Sequence, residues 1–302
     1  MDKYKIIVTG ANGQLGFDMV EHLKNRGHLV YGYGRQELDI TNHKQVNDII
    51  HDIRPEVVVH CGAYTKVDQA EAEPEQAYLV NGYGTRNVAV AAEVINAKLV
   101  YLSTDYVFNG VAEAPYDEFE KIEPINVYGR SKRMGECFVE RLHSKHFIVR
   151  TSWVYGEHGS NFVKTMIKLG LEKKSVSVVN DQIGCPTYTK DLAESIGRLF
   201  ITNKYGTYHI SNAGHCSWYE FAEAVFRITG IETELVPVTS EQFVRPAKRP
   251  KYSVFNHMAL KLNGFPMLRH WEDGLNDFLQ TSVLNGKYGD APNNNAIFSH
   301  GS

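Results

Sequence analysis

The stretch KIIVTGANGQLG, Lys5 to Gly16, constrains this chain more than any other. An apolar run is followed by a glycine-bearing turn and then by an amphipathic segment, Gln14–Arg26, which reads as strand, tight turn and helix. Glycines 10, 13 and 16 stand in the spacing G-x-x-G-x-x-G. The first two permit a tight turn and let the backbone approach a pyrophosphate, and the third lets helix pack on strand. The helix start adds free N–H groups and a positive dipole end, so the turn reads as a nucleotide-binding loop.

The pattern that opens there continues. Leu29–Tyr33 is strand-like, and Thr41 is placed to cap a helix running to Ile53, which Pro55 ends. Glu56–Cys61 is again apolar, followed by a helix over Glu75–Asn96, a strand Leu99–Ser103, a helix from about Asn126 to Leu142, and His146–Arg150. Apolar strands alternating with helices predict a parallel sheet covered on both faces, with right-handed crossovers. Beyond Arg150 the regularity weakens. Asn161–Leu171, Lys190–Phe200, Trp218–Thr229 and Trp271–Gln280 look helical, Thr207–Ser211 looks like a strand, and Pro237, Pro246, Pro250 and Pro266 break up the rest. The expected fold is α/β: a Rossmann-like doubly wound parallel sheet with a smaller C-terminal α+β substrate lobe. Residues 1–150 would form the dinucleotide-binding domain, its sheet completed by parts of 151–211. Residues from about 212 to 280 would form the lobe, and 281–302 a loose tail.

At 302 residues, 43% apolar and 22% charged, the chain can bury such a core. Its net charge of −3 argues against a general nucleic-acid or membrane-surface binder. Cys61, Cys137, Cys185 and Cys216 form no CxxC pair and fit reduced thiols. No apolar run reaches membrane-spanning length, and no signal peptide is evident, so a cytoplasmic location is expected. The thirteen histidines show no HxxxH pair and are expected in surface or capping roles.

Three places carry chemistry. At the end of the second strand an acidic residue would bind the ribose of NAD(H), but Tyr33-Gly34-Arg35 stands there. A guanidinium suits a 2′-phosphate, so NADPH is favoured, while Asp39 keeps NADH open. Tyr128 and Lys132 form a YxxxK, which on a helix puts phenol and ammonium on one face. A nearby cation would lower the tyrosine pKa, and such a tyrosine can protonate a carbonyl oxygen as hydride reaches its carbon. About one YxxxK is expected by chance in a chain of this composition, so context carries the reading. That context is Ser103-Thr104-Asp105, 24 residues earlier at a predicted strand end, where a hydroxyl can polarise a substrate carbonyl.

Taken together, TGANGQLG, AYTKVDQAE (Ala63–Glu71), STDYVF, the YxxxK in NVYGRSK and RTSWVYG (Arg150–Gly156) resemble the extended short-chain dehydrogenase/reductases. More narrowly they resemble the dTDP-4-dehydrorhamnose reductases among them, and NDQIGCPTY (Asn180–Tyr188) and Arg249-Pro250 continue the likeness. The resemblance implies NADPH-dependent reduction of the 4-keto group of dTDP-4-dehydro-6-deoxy-L-mannose to dTDP-L-rhamnose. It implies Tyr128 as general acid, Lys132 as its partner on the nicotinamide ribose, and Thr104 polarising the ketone. Gly10, Asn12, Gly13, Gln14 and Leu15 would hold the pyrophosphate, Arg35, Asp39 and Ile40 the adenosine end, and Ala63, Tyr64 and Thr65 the length of the cofactor. Asp105, Tyr106 and Trp153 would lie near the deoxysugar and nicotinamide. Arg249, after a proline-rich stretch, reads by its own chemistry as a two-point grip on a diphosphate or as a loop salt bridge.

Related dehydratases carry an Asp-Glu pair after the threonine. Here Asp105 is followed by Tyr106, which favours plain reduction. Some relatives bridge a homodimer with Mg²⁺, and Asp18 and Asp191 lie near comparable places. No obligatory catalytic metal is expected, and Mg²⁺ and a homodimer are left open. The competing readings are a non-catalytic NADP-binding regulatory subunit and a related nucleotide-sugar reductase or NAD⁺-retaining epimerase. An intact Thr104, Tyr128 and Lys132 set disfavours the regulatory subunit.

Overall fold

The computed structural model describes residues 3–284; residues 285–302, most of the segment expected to be loose, lie outside the described residues. Six strands, β1 (Lys5–Thr9), β2 (Leu29–Tyr33), β3 (Val57–His60), β4 (Lys98–Thr104), β5 (His146–Thr151) and β6 (Gly206–His209), form one sheet in the order β2-β1-β3-β4-β5-β6. All neighbouring pairs are parallel.

Side-chain alternation splits the sheet between two cores. Ile6, Val8, Val57, Val59, Val100, Phe147 and Val149 face helices α1 (Gln14–Asn25) and α5 (Thr189–Phe200), through Met19, Leu23, Leu192 and Ile196. Ile7, Val58, Leu99, Tyr101 and Ile148 face α2 (His43–Ile53), α3 (Thr85–Val94) and α4 (Val127–Leu142) through Val46, Ile50, Val88, Ala92 and Val139. Both faces being covered is why the strands read as unbroken apolar runs. Each fully buried Val, Ile or Leu contributes about 1.5–3 kcal/mol.

A second apolar cluster, including Tyr155, Val163, Ile167, Val176, Phe221, Val225, Trp271 and Phe278, builds the smaller lobe. It joins helices Phe162–Glu172, Trp218–Thr229 and Trp271–Leu284 to a parallel strand pair, Ser175–Val179 with Glu234–Val238. The lobe therefore draws on residues 154–188 as well as on the chain after 212. The strand pair was not legible because Pro237 reads as a breaker. It is tolerated in a pair of edge strands, where a missing N–H faces no further partner.

Two other local readings change. Asn42, not Thr41, caps α2, its side chain accepting from the Gln45 N–H. The expected helix over Glu75–Asn96 is broken into Pro74–Tyr78, a π-helical turn Leu79–Gly84, and α3. The histidines also differ: His60, His143, His209 and His257 are buried. His60 shows how, with its two ring nitrogens hydrogen-bonded to Thr9 Oγ1 (2.7 Å) and Thr85 Oγ1 (3.1 Å). Burial pushes its pKa down to about 3, so it stays neutral.

Candidate active site

The sheet order reverses between β1 and β3, and parallel strands at such a point leave a crevice beyond their C-terminal ends. A cleft of about 740 Å³ opens there. It is lined by the turn after β1, the loops after β2 and β3, the end of β4, the first turns of α4 and the bend after β5.

The turn after β1 has the shape its glycines require. Gly10 adopts φ +66°, and a Cβ there would come within 2.7 Å of the Gly62 backbone. A Cβ on Gly16 would strike the Gly10 carbonyl. Helix α1 starts at Gly13 with no side-chain cap, so its first N–H groups are left for a ligand in the cleft. Asn12, Gln14 and Leu15 line the same wall.

At the adenosine end Arg35, Asp39 and Ile40 all line the cleft, but the two charged residues differ. The Asp39 carboxylate accepts from Thr41 N–H (2.9 Å) and Thr41 Oγ1 (2.8 Å), closing its own turn. Arg35 is exposed. Ala63, Tyr64 and Thr65 run along the floor, fixed by a residue the sequence reading passed over. Asn81, fully buried in the π turn, accepts from Tyr64 N–H (2.8 Å) and donates to Tyr64 O (3.0 Å) and Ser131 Oγ (2.9 Å). Ser131 in turn donates to Tyr128 O (2.8 Å). One amide thus ties the Ala63–Thr65 segment to α4. The π turn, a frequent companion of functional sites, is what aims it.

Tyr128 and Lys132 sit on α4, whose cap Asn126 accepts from Gly129 N–H at 2.7 Å. Gly129 is glycine because the Tyr106 carbonyl occupies the space of its Cβ, so helix and Thr104–Tyr106 turn lie in contact. Tyr128, Lys132, Thr104 and Asp105 are brought together in the cleft. The Thr104 hydroxyl hydrogen-bonds the Tyr128 phenol and donates to Asp105 Oδ1 (3.0 Å). Ser253 donates to Asp105 Oδ2 (2.7 Å).

The electrostatics differ from the sequence expectation. Burial pushes the Tyr128 phenol above its ordinary value, with the Thr104 hydrogen bond pulling the other way and the Asp105 charge adding to the rise. Lys132 does not bring it down, because the ammonium donates to the Leu102 carbonyl (2.6 Å) and lies 4.2 Å from the centre of the Tyr101 ring. Burial lowers Lys132 itself to about 7, against the pull of the Glu136 carboxylate. Tyr128 therefore stands protonated at neutral pH, the state a proton donor needs. Asp105, also buried, is pushed up to about 6.

Toward the lobe, Tyr106 stands edge-on to Tyr128, ring centres 5.5 Å apart. Trp153 reaches the cleft from a backbone with φ +47°, a strained conformation for a side chain of this size. It lies over Gly184 and is stacked face to face on Trp218, 3.5 Å between ring centres. Trp218 gave no sequence signal beyond its place on an amphipathic helix. Arg249 alone among the expected site residues is outside the cleft lining. Its two terminal nitrogens each donate to an oxygen of Asp68 at 2.9 Å.

Of the two acids near the expected Mg²⁺ position, Asp18 is buried and raised in pKa by that burial, and Asp191 pairs with Arg269 (2.8 Å). Among the described residues no group of three or more His, Cys, Asp or Glu converges as a metal site.

A doubly wound sheet with a glycine-turn crevice and a Thr, Tyr and Lys set at its edge defines a short-chain dehydrogenase/reductase. The comparisons agree and narrow the class. Residues 4–284 match the family described as RmlD substrate binding domain. A dTDP-4-dehydrorhamnose reductase of Streptomyces griseus is 43% identical over 90% of this chain and 91% of its own length. The spore coat polysaccharide biosynthesis protein SpsK of Bacillus subtilis is 45% identical, covering 91% of this chain and 97% of its own. The crystal structure of dTDP-4-dehydrorhamnose reductase from Bacillus anthracis in complex with NADP superposes with a TM-score of 0.91 at 52% identity, covering 93% of this chain and all of that one. The chain belongs to the RmlD family, the dTDP-4-dehydrorhamnose reductases.

Proposed function

We propose that this chain reduces the 4-keto group of dTDP-4-dehydro-6-deoxy-L-mannose with NADPH, giving dTDP-L-rhamnose. The observation that carries the reading is the joining of Thr104 and Tyr128, with Lys132, to an uncapped glycine-turn helix in one cleft.

The residues present fit a dinucleotide. The N–H groups at the start of α1 would take the pyrophosphate, and Lys132 and Tyr64 would flank the nicotinamide ribose. Arg35, exposed at the cleft, would take the 2′-phosphate. The bound cofactor supplies a hydride to the carbonyl carbon. Tyr128, held as a phenol by burial, donates its proton to the carbonyl oxygen. The Thr104 hydroxyl, at the end of a rigid central strand, would turn its single proton from Asp105 Oδ1 to the charge that develops on that oxygen. Trp153 covers the sugar, backed by Trp218. No glutamate follows Asp105, so the base needed to remove water is missing and reduction stands alone.

Among the described residues no helix is long and apolar enough to cross a membrane, and all four cysteines are free thiols, which supports work in the cytoplasm. The test is NADPH oxidation by the purified protein with a panel of 4-keto-6-deoxy sugar nucleotides. Turnover is expected with the dTDP-linked L-lyxo ketone; none with any member of the panel overturns the reading.

A further inference from the structure

The segment RPAKRPK, Arg245 to Lys251, places four cations within seven residues and carries no carboxylate of its own. Asp68 is the acid that meets it. Besides its two-point hold on Arg249, Asp68 accepts from Ala247 N–H at 3.3 Å and lies 3.7 Å from Arg245. Among the described residues no other carboxylate forms an ion pair with this segment. One acid against four cations leaves a surplus of positive charge.

The segment is moored beside the reacting centre. The Asn126 side chain donates to Lys248 O (2.7 Å) while its oxygen caps the catalytic helix. Arg249 hydrogen-bonds Tyr106, the ring that stands edge-on to Tyr128. Residue Glu71, three along from Asp68 on the helix Val67–Ala72, accepts from Val127 N–H (2.7 Å) at the start of α4. One short helix therefore grips the cationic segment with one acid and the catalytic helix with another.

We propose that Asp68 is a positioning residue for the sugar nucleotide: it holds Arg249 and Arg245 behind Tyr106, a residue of the cleft wall, where their charge draws in the substrate's diphosphate. The proposal rests on the function proposed above. A planar two-point ion pair fixes a guanidinium's orientation as a single contact cannot, and it keeps a flexible arginine from folding away. The carboxyl is held below its ordinary pKa, first by the Arg249 hydrogen bond, so the pair persists through the neutral range. Glu71 accepts from Val127 N–H and Asn126 from Gly129 N–H, two contacts with the start of α4 that Asp68 does not itself make, so losing Asp68 is expected to touch substrate capture more than the chemical step.

Asp68→Asn is expected to raise KM for the dTDP-linked 4-keto sugar tenfold or more and to weaken dTDP binding in calorimetry by a similar factor. Its kcat stays within threefold and its Kd for NADPH within twofold of the parent. Arg249→Lys, which keeps the charge but not the two-point hold, shifts KM and dTDP affinity the same way and serves if Asp68→Asn does not fold. Unchanged KM and dTDP affinity, even with a lowered melting temperature, make the pair a structural strut and overturn the proposal. A loss of kcat at constant KM also overturns it. Parent protein that binds dTDP but turns over no ketone counts against the proposed function instead.

Discussion

At the scale of single residues, the site sets charge against burial. Asp105 shows it most clearly. In the unfolded chain its carboxyl titrates near 3.8, and in the fold burial raises it to about 6. The folded state therefore binds the proton more tightly, and stability falls as pH rises through that window. Above it, an ionised buried carboxylate costs on the order of 3 kcal/mol. Asp105→Asn cannot ionise, and the Ser253 hydroxyl can rotate to suit the amide. Its melting temperature should exceed the parent's at pH 8, with the gap closing toward pH 4. A variant less stable than the parent at every pH from 5 to 8 would show that the carboxylate's hydrogen bonds outweigh its desolvation. Arg35 is the other informative residue. With Arg35 exposed at the cleft, Arg35→Asp should move the kcat/KM ratio at least tenfold from NADPH toward NADH, about 1.4 kcal/mol. An unchanged ratio would take Arg35 out of cofactor choice.

At the scale of elements, what the sequence reveals and what it hides have distinct physical causes. β1, the glycine turn and α1 are largely local: the positive φ at Gly10, the clash of a Gly16 Cβ with the Gly10 carbonyl and the apolar Ile6–Val8 run all arise within a dozen residues. The catalytic helix is equally local, its start marked by Asn126 and its single face by Tyr128 and Lys132. The sign of the Tyr128 shift was not legible, since it depends on where Lys132 points and how deeply both are buried, which the whole fold decides. The π turn Leu79–Gly84 was hidden for the same reason. Its LVNGYG carries no breaker but glycine, and the turn is stabilised by what Asn81 reaches across the cleft. Asn81→Ala strips three hydrogen bonds and takes the partner from the part-buried Tyr64 N–H and C=O, at about 1–3 kcal/mol each. The melting temperature should fall and Kd for NADPH should rise at least fivefold. A destabilised variant with parental NADPH affinity would mean that Asn81 braces the fold without aligning the Ala63–Thr65 floor.

At the scale of the whole molecule, the doubly wound sheet supplies a rigid edge, and the lobe supplies groups that reach back over it. Trp218 backs Trp153, Ser253 holds Asp105, and Arg249 reaches Tyr106. Each contact pairs residues from distant parts of the chain, whereas about half of the cleft lining comes from the first 65 residues. The chemistry itself is assigned to one proton. Tyr128→Phe keeps ring volume and packing but removes the phenol that hydrogen-bonds the Thr104 hydroxyl. The direct measurement is single-turnover oxidation of bound NADPH by the dTDP-linked 4-keto sugar, followed in parent and Tyr128→Phe enzyme with both ligands saturating. The parent should give dTDP-L-rhamnose, and the variant should bind both ligands with near-parental affinity yet react about 10²–10⁴ times more slowly, the usual worth of general acid catalysis. A variant reacting within threefold of the parent rate would contradict the assignment of Tyr128 as the acid.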